Sequence, residues 1–86
     1  MSYTYSQSYE DAHYAICERI EHAKRKHPEE LTLLERLQTV IDECSEVWAE
    51  LRTEDYERAM DELKDVGATL YRAMEELSSK TGVKIR

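Results

Sequence analysis

Hydrophobic residues recur every three or four positions along most of the chain, which is the spacing of one face of an α-helix. The pattern separates into three segments. The first covers roughly residues 8–26, the second starts between Pro28 and Thr32 and continues through Leu51, and the third runs from near Thr53 to about Ser79. Helix-forming Glu, Leu, Ala, Arg and Lys are abundant, while strand and turn signals are rare. The pattern therefore predicts an all-α fold.

Each predicted helix has an apolar stripe, which we expect to face inward. The stripes are, in chain order, Tyr9, Ala12, Ile16, Ile20 and Ala23; Leu33, Leu37, Val40, Ile41, Cys44, Val47, Trp48 and Leu51; and Tyr56, Ala59, Met60, Leu63, Val66, Leu70, Met74 and Leu77. The short connection around Arg52 to Glu54 predicts that the second and third helices form an antiparallel hairpin, to which the N-terminal helix is added.

Residues with capping chemistry predict where the helices begin and end. Ser8 and Thr32 each precede an acidic residue by three positions, and Thr53 offers a hydroxyl at the start of the third helix. Pro28 marks the break after the first helix, and Gly82 ends the third.

The size of the chain limits its organisation. Eighty-six residues form one small domain, residues 1–86, in which we expect residues 1–7 to be a flexible N-terminal tail. A monomer of this size buries only about 60% of the surface that its unfolded chain exposes. We therefore predict self-association into a homodimer or homotetramer, in which the helices form a bundle.

The charge and hydropathy of the chain exclude some partners. A formal net charge of −7 argues against binding to a nucleic acid polymer, whose phosphates most of this surface would repel. The apolar runs are too short to span a membrane, and the N-terminus lacks the apolar core of a signal peptide. These features predict a cytoplasmic protein without a membrane partner.

Four acidic side chains form two i, i+3 pairs, Glu43 with Glu46 on the second predicted helix and Glu62 with Asp65 on the third. Because successive residues are rotated by about 100°, both pairs have the same angular position relative to their apolar stripes. The hairpin is nearly symmetric about its turn, so the pairs should lie at one level. Carboxylates suit hard cations, which predicts a split site for Mg²⁺, or for Mn²⁺ in its place.

The acidic pairs also have a simpler explanation as solvated helix faces. In that case the chain would be a non-catalytic helical interaction module, and its acidic residues would serve solubility or bind a basic partner. The matching helical phase of the two pairs favours the metal site.

The residues around the two pairs resemble the signature of the MazG-like, all-α nucleoside triphosphate pyrophosphohydrolases. Two acidic motifs are separated by fifteen residues, as Glu43-x-x-Glu46 and Glu62-x-x-Asp65. The similar positions are Asp42, Glu43, Glu46, Val47 and Trp48 in the first half, and Glu62, Leu63, Asp65 and Val66 in the second. The resemblance covers residues 33–77 well.

The resemblance implies a magnesium-dependent hydrolase that cleaves a nucleotide between its α and β phosphates, giving a nucleoside monophosphate and pyrophosphate. It implies two roles, metal ligand and catalytic carboxylate, for the same four residues, Glu43, Glu46, Glu62 and Asp65. It also implies dimers, or dimers of dimers, of helix hairpins. Many relatives carry further polar ligands after the second motif, where this chain has Val-Gly-Ala-Thr at positions 66–69.

Arg36, Lys64 and Arg72 are candidate substrate-binding residues, because a polyphosphate attracts cations. Arg36 lies seven residues before the first acidic pair and Arg72 seven residues after the second. In an antiparallel hairpin the two arginines fall at the same end, about 10 Å along the axis from the carboxylates. The alternative is that Arg72 pairs with Glu75 or Glu76, that Arg36 is solvated, and that Lys64 makes an ordinary surface ion pair.

Three other residue types have a structural and a functional explanation. Trp48 could stack on a base, but we favour a place for it in the core or in a dimer interface. Cys17 and Cys44 are expected to be reduced core residues. His13 and Cys17 have the i, i+4 spacing of two zinc ligands, but two ligands are weak evidence for a zinc site.

Overall fold

The computed structural model describes residues 6–26 and 31–86, which form three α-helices. The helices are α1 (Gln7–Lys26), α2 (Leu33–Arg52) and α3 (Tyr56–Thr81). These two ranges contain no strand, which confirms the predicted all-α fold. The predicted break at Pro28 and most of the predicted tail, residues 1–5, lie outside the described residues. No helix in the described part combines the length and the low polarity that a membrane span requires.

Two predicted helix ends are confirmed in detail. The Thr32 side chain accepts a hydrogen bond from the backbone N–H of Glu35, and the Glu35 carboxylate accepts one from the backbone N–H of Thr32. This reciprocal pair is a capping box, and it satisfies two donors at the start of α2. At the end of α3, Gly82 adopts a left-handed conformation with φ of 78°, which glycine reaches without strain.

Two predicted N-cap residues are each wrong by two positions. α1 begins at Gln7, and it is Ser6, not Ser8, whose hydroxyl accepts a hydrogen bond from a backbone N–H of the first turn. Asp55, not Thr53, caps α3, because Asp55 accepts from the backbone N–H of Arg58. Thr53 instead ends α2, where its hydroxyl donates to carbonyl oxygens of the last turn.

α1 and α2 both pack against α3. α2 and α3 form the predicted hairpin, connected by residues 53–55, and α1 packs on α3 without reaching α2 in the described part of the chain. Gly67 permits the close approach of α1, because a Cβ atom at this position would lie 2.6 Å from Cδ1 of Ile16. The arrangement leaves a gap between α1 and α2.

Small residues, rather than the large ones of the predicted stripes, form the core. The buried apolar residues are Val47, Ala59, Val66, Ala68 and Ala73. Alanine side chains let helix backbones approach closely. The expectation that the stripes face inward is therefore wrong for most of their large residues, as well as for Cys44, Tyr9 and Ala12, which are exposed.

Nine exposed large residues of α2 and α3 recur at helical spacing, and we call the surface that they form the outer stripe. Its members are Leu37, Ile41, Trp48, Leu51, Met60, Leu63, Leu70, Met74 and Leu77. They are between 40% and 62% exposed. Large apolar side chains grouped on one surface are typical of a site of protein–protein contact.

Candidate metal centre

Three of the four predicted acidic residues form a tight group between α2 and α3. Oxygen atoms of Glu43, Glu62 and Asp65 all lie within 4.8 Å of one another, and the three side chains are half-buried. Glu46 lies next to Glu62 and contributes to the negative potential at Glu43 and Glu62, but it is exposed and outside the tight group. The structure therefore brings all four residues into one neighbourhood and three into direct proximity.

The hairpin geometry explains this grouping. Positions 43 and 65 are equally far along the chain from Glu54, and so are positions 46 and 62. Since α2 and α3 are antiparallel and meet at a turn centred on Glu54, equidistant residues lie opposite each other. The i, i+3 spacing then gives each helix two neighbouring carboxylates on the face beside its partner.

Burial and neighbouring charges change the acidity of Glu43. Burial, followed by the nearby Asp65 carboxylate, raises the pKa of Glu43 to about 7. The Thr69 hydroxyl opposes this rise by donating a hydrogen bond to Oε1 of Glu43 at 3.3 Å. Glu43 is thus poised between its protonated and ionised forms at neutral pH.

Glu62 shares this environment. Burial raises the pKa of Glu62, and a hydrogen bond with Glu46 raises it further. The charges of Asp65 and Glu50 act in the same direction. Close packing of carboxylates favours their protonated forms, because like charges repel one another at short range.

One cation from α1 reaches into the acidic group. The Arg19 guanidinium donates from Nη1 to Oδ1 of Asp65 at 2.6 Å and from Nη2 to Oδ1 of Asp61 at 2.7 Å. The pairing joins residues 46 positions apart and fastens α1 to α3. Neither helix periodicity nor the acidic motifs indicate this contact.

A cavity of about 460 Å³ occupies the gap between α1 and α2, with α3 as its floor. Glu43 and Asp65 line it at one end. The basic residues that line it come from all three helices: Arg19, His22, Lys26, Arg36 and Arg72. A protein with a net charge of −7 has thus concentrated cations in one concave site beside its carboxylates.

The three candidate substrate-binding residues have different positions. Arg36 and Arg72 line the same cavity, as the antiparallel hairpin predicts. Arg36 is not solvated, because it is buried and its Nε atom donates to Oε2 of Glu76 at 2.8 Å. Lys64 lies apart from them and lines a smaller cavity with Arg19 and His22.

The oxygen donors fit a divalent cation. Oxygen ligands held about 2.1 Å from Mg²⁺ are at most about 4.2 Å apart across the octahedron, so groups within 4.8 Å need small side-chain movements to bind it. The set contains only carboxylates, which suits Mg²⁺ and Mn²⁺ better than softer metals. Burial, followed by the nearby Asp65 carboxylate, raises the pKa of Glu43 to about 7, and a bound cation would favour the ionised form of this group.

The zinc site predicted as an alternative at His13 and Cys17, and base stacking by Trp48, have less support from the structure. Sγ of Cys17 lies 3.7 Å from Nε2 of His13, while Nδ1 of His13 is 3.3 Å from the Tyr71 hydroxyl. The described residues contain no third metal-ligating side chain beside this pair. Trp48 is exposed on the outer stripe, where the Arg52 guanidinium lies 4.7 Å from its ring centre.

Comparison of the chain with protein-family models, with curated proteins and with solved structures finds no match.

Proposed function

We propose that this protein is a MazG-like, magnesium-dependent nucleotide pyrophosphohydrolase, which cleaves a nucleoside triphosphate or related nucleotide to a monophosphate and pyrophosphate. The observation that carries the proposal is the group of Glu43, Glu62 and Asp65 oxygens within 4.8 Å of one another, at the end of a cavity lined by basic residues. A carboxylate group suits a metal ion, and an adjoining basic cavity suits a polyphosphate.

In this proposal the four acidic residues bind the cation and accept a proton. Glu43, Glu62 and Asp65 hold the cation, Mg²⁺ or Mn²⁺, and Glu46 completes the set from the adjacent turn of α2. When bound, the cation would neutralise phosphate charge and make a bound water more acidic. A carboxylate that is not fully engaged in ligation can take the proton that the attacking water gives up.

The basic residues of the cavity bind the anionic part of the nucleotide. Arg72 lies half-buried at the end of the cavity away from the turn between α2 and α3. Its guanidinium can donate two parallel hydrogen bonds to one phosphate group. Arg36 is held by Glu76, so its main contribution is to keep this wall of the cavity in place.

The protein self-associates in this proposal. The outer stripe exposes nine large apolar residues on α2 and α3, and a second copy of the hairpin presents the same surface. Burying such stripes against each other would remove apolar area from water at about 25 cal/mol per Å². A homodimer or homotetramer follows, with the helices as one bundle.

The proposal is tested by measuring pyrophosphate release from a panel of ordinary and modified nucleoside triphosphates, with Mg²⁺ and with EDTA. We expect Mg²⁺-dependent release from at least one nucleotide. Glu62→Gln and Asp65→Asn should reduce it by a factor of about 10² or more, since each removes a charged ligand. Glu57→Gln, which changes an exposed residue in the first turn of the same helix, is the matched control and should retain wild-type activity.

A different result would favour a non-catalytic helical interaction module. If no nucleotide in the panel yields pyrophosphate, and Mg²⁺ leaves the unfolding temperature unchanged, then the enzyme proposal is wrong. Circular dichroism of each variant checks that the helices are intact, so that a loss of folding is not mistaken for a loss of catalysis.

A further inference from the structure

Arg19 occupies a position that the proposed function does not explain. It projects from α1, it is half-buried, and its guanidinium bridges two carboxylates of α3. Asp65, at 2.6 Å, belongs to the tight acidic group, whereas Asp61, at 2.7 Å, lies one turn earlier and outside that group. Arg19 therefore joins the candidate metal centre to a carboxylate that takes no part in it.

The charges of these groups set up a competition. Asp65 raises the pKa of Glu43 and of Glu62, so its negative charge is felt throughout the acidic group. Arginine stays protonated at all relevant pH values, so the Arg19 guanidinium is a permanent counter-cation for Asp65. The guanidinium donates to Oδ1 of Asp65, and a divalent ion that binds this carboxylate competes with Arg19 for its negative charge.

The surroundings of Arg19 offer it other partners. Asp61 remains available when Asp65 is not, so the side chain stays anchored to α3. Arg19 also lines the basic cavity together with Lys26, Arg36 and Arg72. One of its two hydrogen-bonding edges can thus turn from Asp65 towards an anion in the cavity while the other stays on Asp61.

We propose that Arg19 exchanges partners during the working cycle: it neutralises Asp65 when no metal is bound, and it binds a phosphate group in the cavity once a divalent cation takes Asp65. This inference rests on the function proposed above. It makes α1 part of the substrate site, although α1 carries none of the acidic motifs. It also predicts opposite effects of one substitution on two ligands, which a purely structural role for Arg19 would not give.

The first test measures the affinity of the full-length protein for Mg²⁺ by isothermal titration calorimetry. Arg19→Gln removes the competing cation, so we expect it to bind Mg²⁺ about three- to ten-fold more tightly than the wild-type protein. Arg25→Gln makes the same charge change on an exposed residue of the same helix and should stay within about two-fold of the wild type.

The second test titrates inorganic triphosphate into protein held in excess Mg²⁺. Arg19→Gln should weaken this binding by about ten-fold, because a charge-assisted contact to phosphate is lost. Arg19→Lys keeps the charge but not the forked geometry, so both of its affinities should fall between those of the wild-type protein and Arg19→Gln. If circular dichroism shows that Arg19→Gln is not folded, Arg19→Lys replaces it in both titrations.

The outcomes separate this inference from the function on which it rests. If the wild-type protein binds no Mg²⁺, both are overturned. If it binds Mg²⁺ and releases pyrophosphate, but Arg19→Gln binds Mg²⁺ with equal or lower affinity, only the exchange of partners is overturned. If Arg19→Gln binds triphosphate as tightly as the wild-type protein does, Arg19 does not bind the phosphate, and the exchange of partners is again overturned.

Discussion

Arg36 of α2 donates a hydrogen bond to Glu76 of α3 at 2.8 Å, and the two side chains are 9% and 16% exposed. The pair joins the two helices of the hairpin at the end far from their turn. Hydrogen bonds from Lys80 and, to a smaller extent, from Arg36 hold the pKa of Glu76 below its usual range. A buried charge that loses its partner is costly, so this contact matters more for stability than a surface ion pair does.

Arg36→Ala should therefore lower the free energy of unfolding by more than the loss of an exposed ion pair does. Urea denaturation followed by circular dichroism measures this quantity. The matched control is Lys80→Ala, because Lys80 donates to the same glutamate but is 65% exposed. Lys80→Ala should lower the free energy of unfolding by less than Arg36→Ala does, because an exposed ion pair contributes little to stability. Equal losses in the two variants would show that Arg36 is not a structural bridge.

Arg72 gives the cleaner test of phosphate binding, because substitution of Arg36 also weakens the fold. Arg72→Gln should raise KM for an active nucleotide by about ten-fold while the free energy of unfolding changes little. Steady-state kinetics with pyrophosphate detection measures the effect. Lys84→Gln, at an exposed position beyond the end of α3, is the control and should leave KM unchanged. Wild-type KM in Arg72→Gln would remove Arg72 from the substrate site.

Metal-free protein should lose stability as the pH rises from about 5 to about 8. The pKa of Glu43 is about 7 in the folded protein and near 4.5 in the unfolded chain, so the folded state binds more protons across this window. Ionisation of Glu43 therefore disfavours folding, by about 1 kcal/mol after solvent screening of this part-exposed group. Thermal unfolding in EDTA at several pH values measures the loss.

Glu43→Gln should flatten this pH dependence and raise the unfolding temperature of the metal-free protein at pH 8. Glu57→Gln, at an exposed position, should keep the wild-type pH dependence. Saturating Mg²⁺ should reverse the trend for the wild type, because the ion binds the deprotonated carboxylates and so stabilises the folded state more as the pH rises. A wild-type stability that rises from pH 5 to 8 in EDTA would contradict the proposed charge repulsion.

The outer stripe should control the oligomeric state. Sedimentation equilibrium of the wild-type protein should give a dimer or tetramer, and Ile41→Glu should shift it to the monomer, because a charge cannot be buried in an apolar interface without a partner. Tyr9→Glu places the same charge on an exposed aromatic residue of α1 and should leave the assembly intact. A monomeric wild-type protein would contradict this part of the account.

Local chemistry made much of the hairpin predictable. Thr32 and Glu35 form the capping box that their spacing indicates, and Gly82 has the left-handed conformation that ends α3. The grouping of Glu43 with Asp65 also follows from sequence, because a short turn between two regular helices fixes which residues lie opposite each other. These predictions depend on contacts within one helix or across one tight turn.

The features that sequence did not predict depend on how helices dock. The contact of Arg19 with Asp65 spans 46 residues, and the rotation of α1 on α3 cannot be read from a 3.6-residue period. The core was misassigned for a related reason. A broad apolar stripe does not show which of its edges meets the partner helix, and here small residues such as Ala59 and Ala73 permit the closest approach.

The central claim is that the acidic group and its basic cavity cleave a nucleotide between the α and β phosphates. The most direct test is ³¹P NMR of the products formed from an active nucleotide, with Mg²⁺ present, by the wild-type protein and by Asp65→Asn. We expect the wild type to form nucleoside monophosphate and pyrophosphate in equal amounts, and Asp65→Asn to form neither while keeping its helices. Release of orthophosphate with a nucleoside diphosphate, or turnover that persists in Asp65→Asn, would contradict it.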